Sequence, residues 1–327
     1  MKILVLGGTM FLSKAVAVAA QARGHEVIVA ARGKSGRPPE GVRFVTLDRE
    51  NPEFSALDGE TFDAVVDVAR IPAQITPVLD ALADRVGHWT FVSTISVYSD
   101  VETVGGTADT TALLEPAAAD STDPSVEAYG ASKVTCENLV RDRLGDKAFI
   151  PRPGLIVGPG DPSYRFGYWP DRLHDAGEVL APGAPDRGVQ WIDVRDHAEW
   201  IVHAAENQVV GTFDTVTEPM PFERFLHEIA RAMGTEPTLT WVSEDFVTEH
   251  GVNPWAGPDS IGLWLPADHA GMLTRDVSTA LEAGLKTRPV GESARDWFDS
   301  MDGAERDDAK RLGRAKEAEI LAAWHAR

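Results

Sequence analysis

Ile3 to Leu6 forms an unbroken apolar run, followed by Gly7-Gly8 and then by apolar residues at Leu12, Ala15, Val16, Ala19 and Ala20. A strand covered on both faces shows no alternation, and apolar positions three and four apart line one helix face. The opening therefore predicts a buried strand that turns into an amphipathic helix. Gly24 stands where a helix C-terminal glycine belongs, and Glu26 to Ala30 starts a second strand. Further strands are predicted at Val42 to Thr46, Asp63 to Val68 and His88 to Ser93, with a helix from about Pro72 to Val86 between the last two. Short β-branched runs alternating with helical periods are the rhythm of a parallel sheet. Right-handed crossovers then give a doubly wound α/β fold.

The stretch from Asp100 to Pro124 lacks periodicity and is long for a connection in a compact domain, which predicts a lid or mobile loop. A helix from about Ser125 to Leu144 and a strand near Phe149 follow. Beyond residue 150 the texture changes, with eight of the nine tryptophans and the Gly/Pro-rich loops at Gly154 to Asp161 and Ala181 to Gly188. We therefore expect a Rossmann-type dinucleotide-binding domain over 1–153, with 193–216 returning to it through the helix Asp196 to Glu206 and the strand Val209 to Val216. A second, smaller α/β substrate domain is expected over 154–192 and 217–327, ending in a charged helical segment from Ala304 to Ala326.

Charge and cysteine content narrow the partners. The 31 basic and 51 acidic residues give a net charge of -20, which repels nucleic acid and anionic membrane surfaces and favours a small-molecule partner. A single cysteine, Cys136, excludes an intramolecular disulfide framework and fits a reducing, cytoplasmic setting. The apolar stretch at Met1 to Gly7 is too short for a signal peptide, and no run reaches the roughly 20 residues of a membrane span. The nine histidines show no metal-ligand spacing, so no metal is expected; His197 and His203 on one helix read as solvated or structural. A homodimer is left open.

A glycine turn between a strand and a helix aims backbone N–H groups at a pyrophosphate. Gly7 is correctly placed, and Thr9, Met10, Phe11 and Leu12 join it as candidate cofactor contacts. The usual G-x-x-G-x-x-G spacing is degraded, because Met10 and Ser13 stand where glycines are expected. After the second strand the chain reads Ala30-Ala31-Arg32-Gly33-Lys34, with no carboxylate to accept ribose hydroxyls. Arg32 and Lys34 suit a 2′-phosphate, so NADP is preferred over NAD. Asp48 is a candidate adenine contact.

Tyr129-Gly130-Ala131-Ser132-Lys133 puts a phenol and an ammonium on one helix face. A neighbouring cation favours the phenolate of a tyrosine, whose ordinary pKa is about 10, so such a phenol can exchange a proton with an alcohol or carbonyl near neutral pH. The strand end Phe91 to Tyr98 offers hydroxyls to orient a substrate oxygen. Together with Arg152 to Asp161, Ile192 to Asp196 and Asp276 to Ala280, these residues make the chain similar to the extended short-chain dehydrogenase/reductase family of epimerases, dehydratases and reductases. By that resemblance Thr94 orients the substrate oxygen, with Ser93 the neighbouring alternative. Tyr129 relays the proton, and Lys133 tunes it and holds the nicotinamide ribose. Hydride would pass between nicotinamide C4 and a secondary carbon.

Departures from the family pattern shape the expected reaction. Ile95 and Ser96 replace the acidic residues of its sugar-nucleotide dehydratases, which disfavours dehydration. Leu155 and Val189 replace an asparagine and an arginine that contact a substrate diphosphate, so the substrate is expected not to be a typical nucleotide sugar. Ser93, Ser96, Tyr164, Arg165 and Trp169 are candidate substrate contacts, the last three as an aromatic and cationic wall; ordinary packing is the alternative for that wall. Cys136 has no base partner and reads as an inert thiol. The expected activity is a ketone reductase or secondary-alcohol dehydrogenase. An epimerase using the same residues is one alternative. Another is a non-catalytic cofactor- or RNA-binding protein, because Gly7-Gly8-Thr9-x-Phe11-Leu12 also resembles an atypical branch that includes chloroplast stem-loop RNA-binding proteins.

Overall fold

The computed structural model describes residues 1–301 and 311–327. Seven strands form the central sheet: β1 (Lys2–Leu6), β2 (Glu26–Ala31), β3 (Arg43–Thr46), β4 (Phe62–Asp67), β5 (Val86–Phe91), β6 (Ala148–Pro153) and, later in the chain, Gly211–Thr215. Their spatial order is Gly211–Thr215, β6, β5, β4, β1, β2, β3, and every pairing is parallel. β1 sits between β2 and β4, so the order reverses at its carboxyl end, where crossovers on either side leave a crevice for a ligand. Ile3 to Leu6 are all at most 1% exposed, as a central strand covered on both faces requires.

Helices cover both faces. α1 (Phe11–Ala22) buries Leu12, Val16, Ala17 and Ala20, and it packs against the later helix Val194–Asn207. On the other face, α2 (Thr76–Leu82) and α3 (Tyr129–Leu144) close over Trp89, Phe91 and Ile150. The helix expected over Pro72 to Val86 is α2 flanked by a short 3₁₀ turn at each end, Pro72–Gln74 and Ala83–Arg85. α3 begins at Tyr129 rather than Ser125, because the Ser125 hydroxyl accepts the Ala128 amide and Asp123 accepts the Ser125 amide in turns that precede it.

The segment 100–124 is not a free lid. Backbone hydrogen bonds run from Gly105 to Thr274, from Asp276 to Gly106, from Leu114 to Val97, from Ala117 to Ala131 and from Ala73 to Ser121. These bonds make it a strap tied to α3, to the turn after β5, to Ala73 and to the backbone at Thr274 and Asp276. Such main-chain pairs carry no side-chain periodicity, so the strap reads as loop in the sequence.

After β6 the chain forms β7 (Ile156–Val157), α4 (Tyr168–His174), β8 (Glu178–Pro182), β9 (Gly188–Val189), β10 (Ile192–Asp193), α5 (Val194–Asn207) and β11 (Gly211–Thr215), the last being the seventh strand of the main sheet. The helices Phe222–Met233, Val290–Ser300 and Arg314–His325 enclose a second core with Trp169, Trp191, Phe222, Phe225, Trp264 and Trp297. Of the expected C-terminal helix, residues 304–310 lie outside the described residues. Between the two cores runs a buried ionic network. Arg152 donates to both Glu137 oxygens and to the Tyr98 hydroxyl; Tyr98 donates to Asp214, which also accepts from Arg275.

Candidate active site

The carboxyl ends of β1, β4 and β5 bring the expected residues together. Gly7 and Gly8 both have positive φ, +128° and +81°. At Gly8 a Cβ would meet the Val29 side chain at 2.6 Å, so only glycine fits both the backbone angle and the close approach to β2. The usual third glycine is Ser13, whose hydroxyl donates to the Met10 carbonyl at 2.9 Å. Met10 is the N-terminal cap residue of α1, is 48% exposed and supplies no side-chain cap, so the first-turn N–H groups are left for an anion. Phe11 adopts φ +32°, a strained angle for an aromatic residue and of the kind that collects at functional sites. Thr9 is buried, and Leu12 turns into the core under the turn, so the side chain of Leu12 is not a contact surface. The residues present fit a dinucleotide pyrophosphate at this turn.

Beyond β2, Arg32 is exposed and lies 3.9 Å from Glu50. Asp48, after β3, accepts the Glu50 amide at 3.1 Å. Next to it Arg49 makes a two-pronged ion pair with Asp67 at the end of β4, at 2.6 and 3.2 Å, and Asp67 in turn accepts the Ala69 amide. This pair was not singled out from the sequence. A basic residue in one loop and an acidic strand end 18 residues later carry no local signal.

At the β5 end, Thr94 caps the short turn Ile95–Val97 by accepting the Ser96 amide, and its hydroxyl donates to the Ser96 hydroxyl at 3.2 Å. Gly130, in the first turn of α3, lets the helix approach this turn closely, since a Cβ there would lie 2.3 Å from the Ser96 carbonyl oxygen. The consequence is that the first turn of α3, which starts at Tyr129, lies against the turn that Thr94 caps. Burial raises the phenol's pKa above its ordinary value, while hydrogen bonding with Thr94 and the charges of Arg70 and Arg165 pull it back. Arg70 is a residue sequence reasoning missed; its signal is a cation directly after a central strand, Asp67-Val68-Ala69-Arg70.

Lys133 is 3% exposed and donates to the carbonyls of Val92 at 2.5 Å and Ala69 at 2.7 Å, with its ammonium 4.7 Å from the Phe91 ring centroid. Burial lowers its pKa to about 8. The cations that act most on the phenol are the two arginines, whereas the lysine is held below by main-chain oxygens. Ser93 is 2% exposed; its hydroxyl lies against the Glu137 carboxyl and makes no well-formed hydrogen bond, so Thr94 rather than Ser93 faces Tyr129. Cys136, on the same helix, is buried and its thiol is raised to about 12, beyond reach of ordinary nucleophilic use.

The expected aromatic wall divides. Arg165 lies over the Trp255 ring at 5.1 Å and its charge acts on the Tyr129 phenol, whereas Tyr164, with φ +55°, packs edge-on against Trp297 of the second core at 6.3 Å. Trp169 is fully buried, donates to the Gly262 carbonyl at 2.8 Å and packs edge-on against Phe222. Its place on the inner face of α4 turns it into the second core. Leu155 and Val189 are buried as well, at 2% and 1% exposure. Among the described residues no group of three or more His, Cys, Asp or Glu side chains could hold a metal ion, and no helix is long and apolar enough to cross a membrane.

Residues 3–215 match the model of the NAD dependent epimerase/dehydratase family. A 2'-dehydrokanamycin reductase of Streptomyces kanamyceticus is 34% identical over 174 residues, covering 51% of this chain and 44% of that protein. The chloroplast stem-loop binding protein of 41 kDa b of Arabidopsis thaliana is 27% identical over 175 residues, 48% of this chain and 43% of that one. Each match thus spans less than half of the relative's length. Among solved structures, the UDP-N-acetylglucosamine 4-epimerase of Bacillus cereus superposes with a TM-score of 0.63 at 18% identity over 93% of this chain and 100% of that one. The UDP-Glc/GlcNAc 4-epimerase of Campylobacter jejuni gives 0.65 at 14% identity, over 94% and 99%. With the strand-end glycine turn, the Tyr-x-x-x-Lys helix and the seven-stranded parallel sheet now in place, this chain belongs to the NAD-dependent epimerase/dehydratase family of extended short-chain dehydrogenases/reductases.

Proposed function

We propose that the protein is an NADP-preferring oxidoreductase that interconverts a small-molecule ketone and its secondary alcohol, with Tyr129 as the proton relay, Thr94 as the substrate-orienting hydroxyl and Lys133 as the ribose-side cation. The observation that carries the reading is the convergence of Tyr129 at the start of α3 and Thr94 after β5, through the close approach that Gly130 allows, beside the buried Lys133. Burial raises the phenol's pKa and holds Tyr129 protonated, as a proton donor to a carbonyl requires. In the reducing direction Tyr129 gives its proton to the carbonyl oxygen as Thr94 holds that oxygen, and solvent restores the phenol. A bound reduced nicotinamide would supply the hydride that becomes the new C–H bond. Arg70 and Arg165 limit the rise in the phenol's pKa that burial imposes.

The 2'-dehydrokanamycin reductase likeness supports reduction, and the buried Leu155 and Val189 speak against a nucleotide-diphosphate handle. The absence of a carboxylate after β2 supports NADP, although Glu50 beside Arg32 weakens that cation's pull on a 2′-phosphate. A residue division near 153, with 193–216 joined to the first part, agrees with β11 pairing in the main sheet. The test is cofactor oxidation with NADPH and NADH against a panel of cyclic ketones, keto-aminoglycosides and UDP-sugars. Turnover of a ketone with NADPH is expected. Interconversion of a UDP-sugar without net cofactor consumption would replace this reading by an epimerase.

A further inference from the structure

Asp67, the last residue of β4, is fully buried, where a lone carboxylate would be costly. Strand side chains alternate between faces, and Val65, two residues earlier, packs in one core with Cys136 of α3, so Asp67 faces α3 as well. Its Oδ1 accepts from Arg49 Nη2 at 2.6 Å and from the Ala69 amide at 2.9 Å, and its Oδ2 accepts from Arg49 Nη1 at 3.2 Å. Its main-chain carbonyl accepts the Val92 amide at 2.9 Å, where β4 and β5 end side by side. Ala69 and Val92 are the two residues whose carbonyls accept from Lys133 Nζ, at 2.7 and 2.5 Å. Both acceptors of the lysine are thus tied to one residue, Val92 through the backbone and Ala69 through the carboxylate.

An ammonium carries three N–H donors, so two fixed acceptors set the direction of the third. Val92 is held by the strand ends whatever the side chain at position 67. Ala69 lies beyond the β4 ladder, and the partner of its amide is Asp67 Oδ1. The two-pronged guanidinium of Arg49 fixes the plane of that carboxylate. Resting on the oxidoreductase reading above, we infer that Asp67 is a positioning residue for Lys133: acting through Ala69, its carboxylate aims the third ammonium N–H at the cofactor ribose, and Arg49 locks the carboxylate in place. The groups acting on the ammonium are Asp67 at the end of β4, Arg49 after β3, and Cys136 and Glu137 on α3, while β5 presents the Phe91 ring. Burial brings the ammonium's pKa down to about 8; against that setting Asp67 acts upward and Arg49 downward.

Two measurements test the assignment. The first is the titration of the Lys133 ammonium, read from the Cε–Hε signals of lysine-labelled protein without cofactor, with Lys133→Met identifying the resonance. Asp67→Asn keeps an oxygen for the Ala69 amide and removes the charge, so the step should move below pH 8, by at least about 0.5 pH unit. Arg49→Met should move it above pH 8. Loosened packing would instead relieve burial and raise the step in both variants toward the ordinary 10.5. An upward or absent shift in Asp67→Asn therefore overturns the assignment. The second measurement is NADPH affinity by direct titration. Asp67→Ala should weaken binding about tenfold, the size of one charged hydrogen bond, and should add nothing in the Lys133→Met protein. Equal weakening with and without the lysine would mean that Asp67 does not act through it, and the positioning would be refuted. If the coupling holds while no ketone is ever reduced, the positioning stands and the oxidoreductase reading falls. Should Asp67→Ala fail to fold, Asp67→Asn and Arg49→Met decide by the first measurement.

Discussion

Removal of Glu137 by Glu137→Ala should be among the most damaging single changes outside the site. Glu137 is fully buried, one helical turn beyond Lys133 on α3, and accepts from Arg152 Nε at 2.9 Å and Nη2 at 2.7 Å. Arg141 also donates to it at 2.7 Å, but that side chain is 35% exposed, so its share is small. Arg152 is 2% exposed and would keep only the Tyr98 hydroxyl and the Ala108 carbonyl as partners. Two buried charge-assisted hydrogen bonds are lost and one charge is stranded, a loss of about 3–5 kcal/mol. At about 2–4 °C per kcal/mol for a large domain, Tm should fall by about 6–20 °C. Thermal and urea unfolding, read by tryptophan fluorescence, measure it. The double variant Glu137→Met/Arg152→Met removes both charges and should recover a large part of the loss. The ion pair also holds the Glu137 carboxyl below its ordinary pKa of 4.5, so the stabilisation is complete above pH 4.5 and is lost as pH falls through the lower folded value. If Glu137→Ala costs under about 1 kcal/mol, or the double variant is as unstable as the sum of its parts, the stranded-charge argument is refuted.

Other expectations concern the site. Gly130→Ala improves helix propensity yet drives a Cβ into the Ser96 carbonyl, so turnover should fall at least about tenfold with cofactor affinity retained; unchanged turnover would mean α3 need not approach Thr94 so closely. Lys133, lowered to about 8, should put a step near pH 8 into the pH dependence of cofactor binding as its ammonium is lost, and Lys133→Met should abolish that step. For stability the sign is opposite: the folded state binds the proton less tightly than the unfolded chain, so this group's contribution rises as pH goes from about 8 toward 10.5. Arg32→Asp should invert an NADPH-over-NADH preference in direct titration; tighter NADH binding by the unmodified protein would remove the role given to Arg32.

The features legible in the sequence are those with local signals. The buried run Ile3 to Leu6, the glycines after it and the 3.6-residue period of α1 each lie within a dozen residues, and the i, i+4 spacing of Tyr129 and Lys133 is a property of one helix. The return of β11 to the main sheet was also legible, because an apolar strand after α5 has few other places to go. What stayed hidden is set by contacts distant in sequence. Arg70 and Arg165 act electrostatically on Tyr129 from two different loops, and Arg49, after β3, meets Asp67 at the end of β4 although β1 and β2 lie between those strands in the sheet. The same limit explains Trp169: Tyr164, Arg165 and Trp169 look alike as a cluster, but the helical start at Tyr168 rotates the tryptophan inward. The direction of Lys133 follows likewise from the carbonyls of Val92 and Ala69, which no spacing rule anticipates.

The most direct test of the proton relay is single-turnover hydride transfer, followed by nicotinamide absorbance, in Tyr129→Phe and unmodified protein with the same ketone and saturating NADPH. Removing the hydroxyl deletes the transferable proton while leaving the glycine turn untouched. Cofactor affinity should therefore be nearly unchanged, and the hydride-transfer rate should fall by about 10²–10⁴-fold, the range of lost acid–base catalysis. Observing the transfer step itself avoids confusion with slow product release. A Tyr129→Phe protein that transfers hydride at the unmodified rate would contradict the account at its centre.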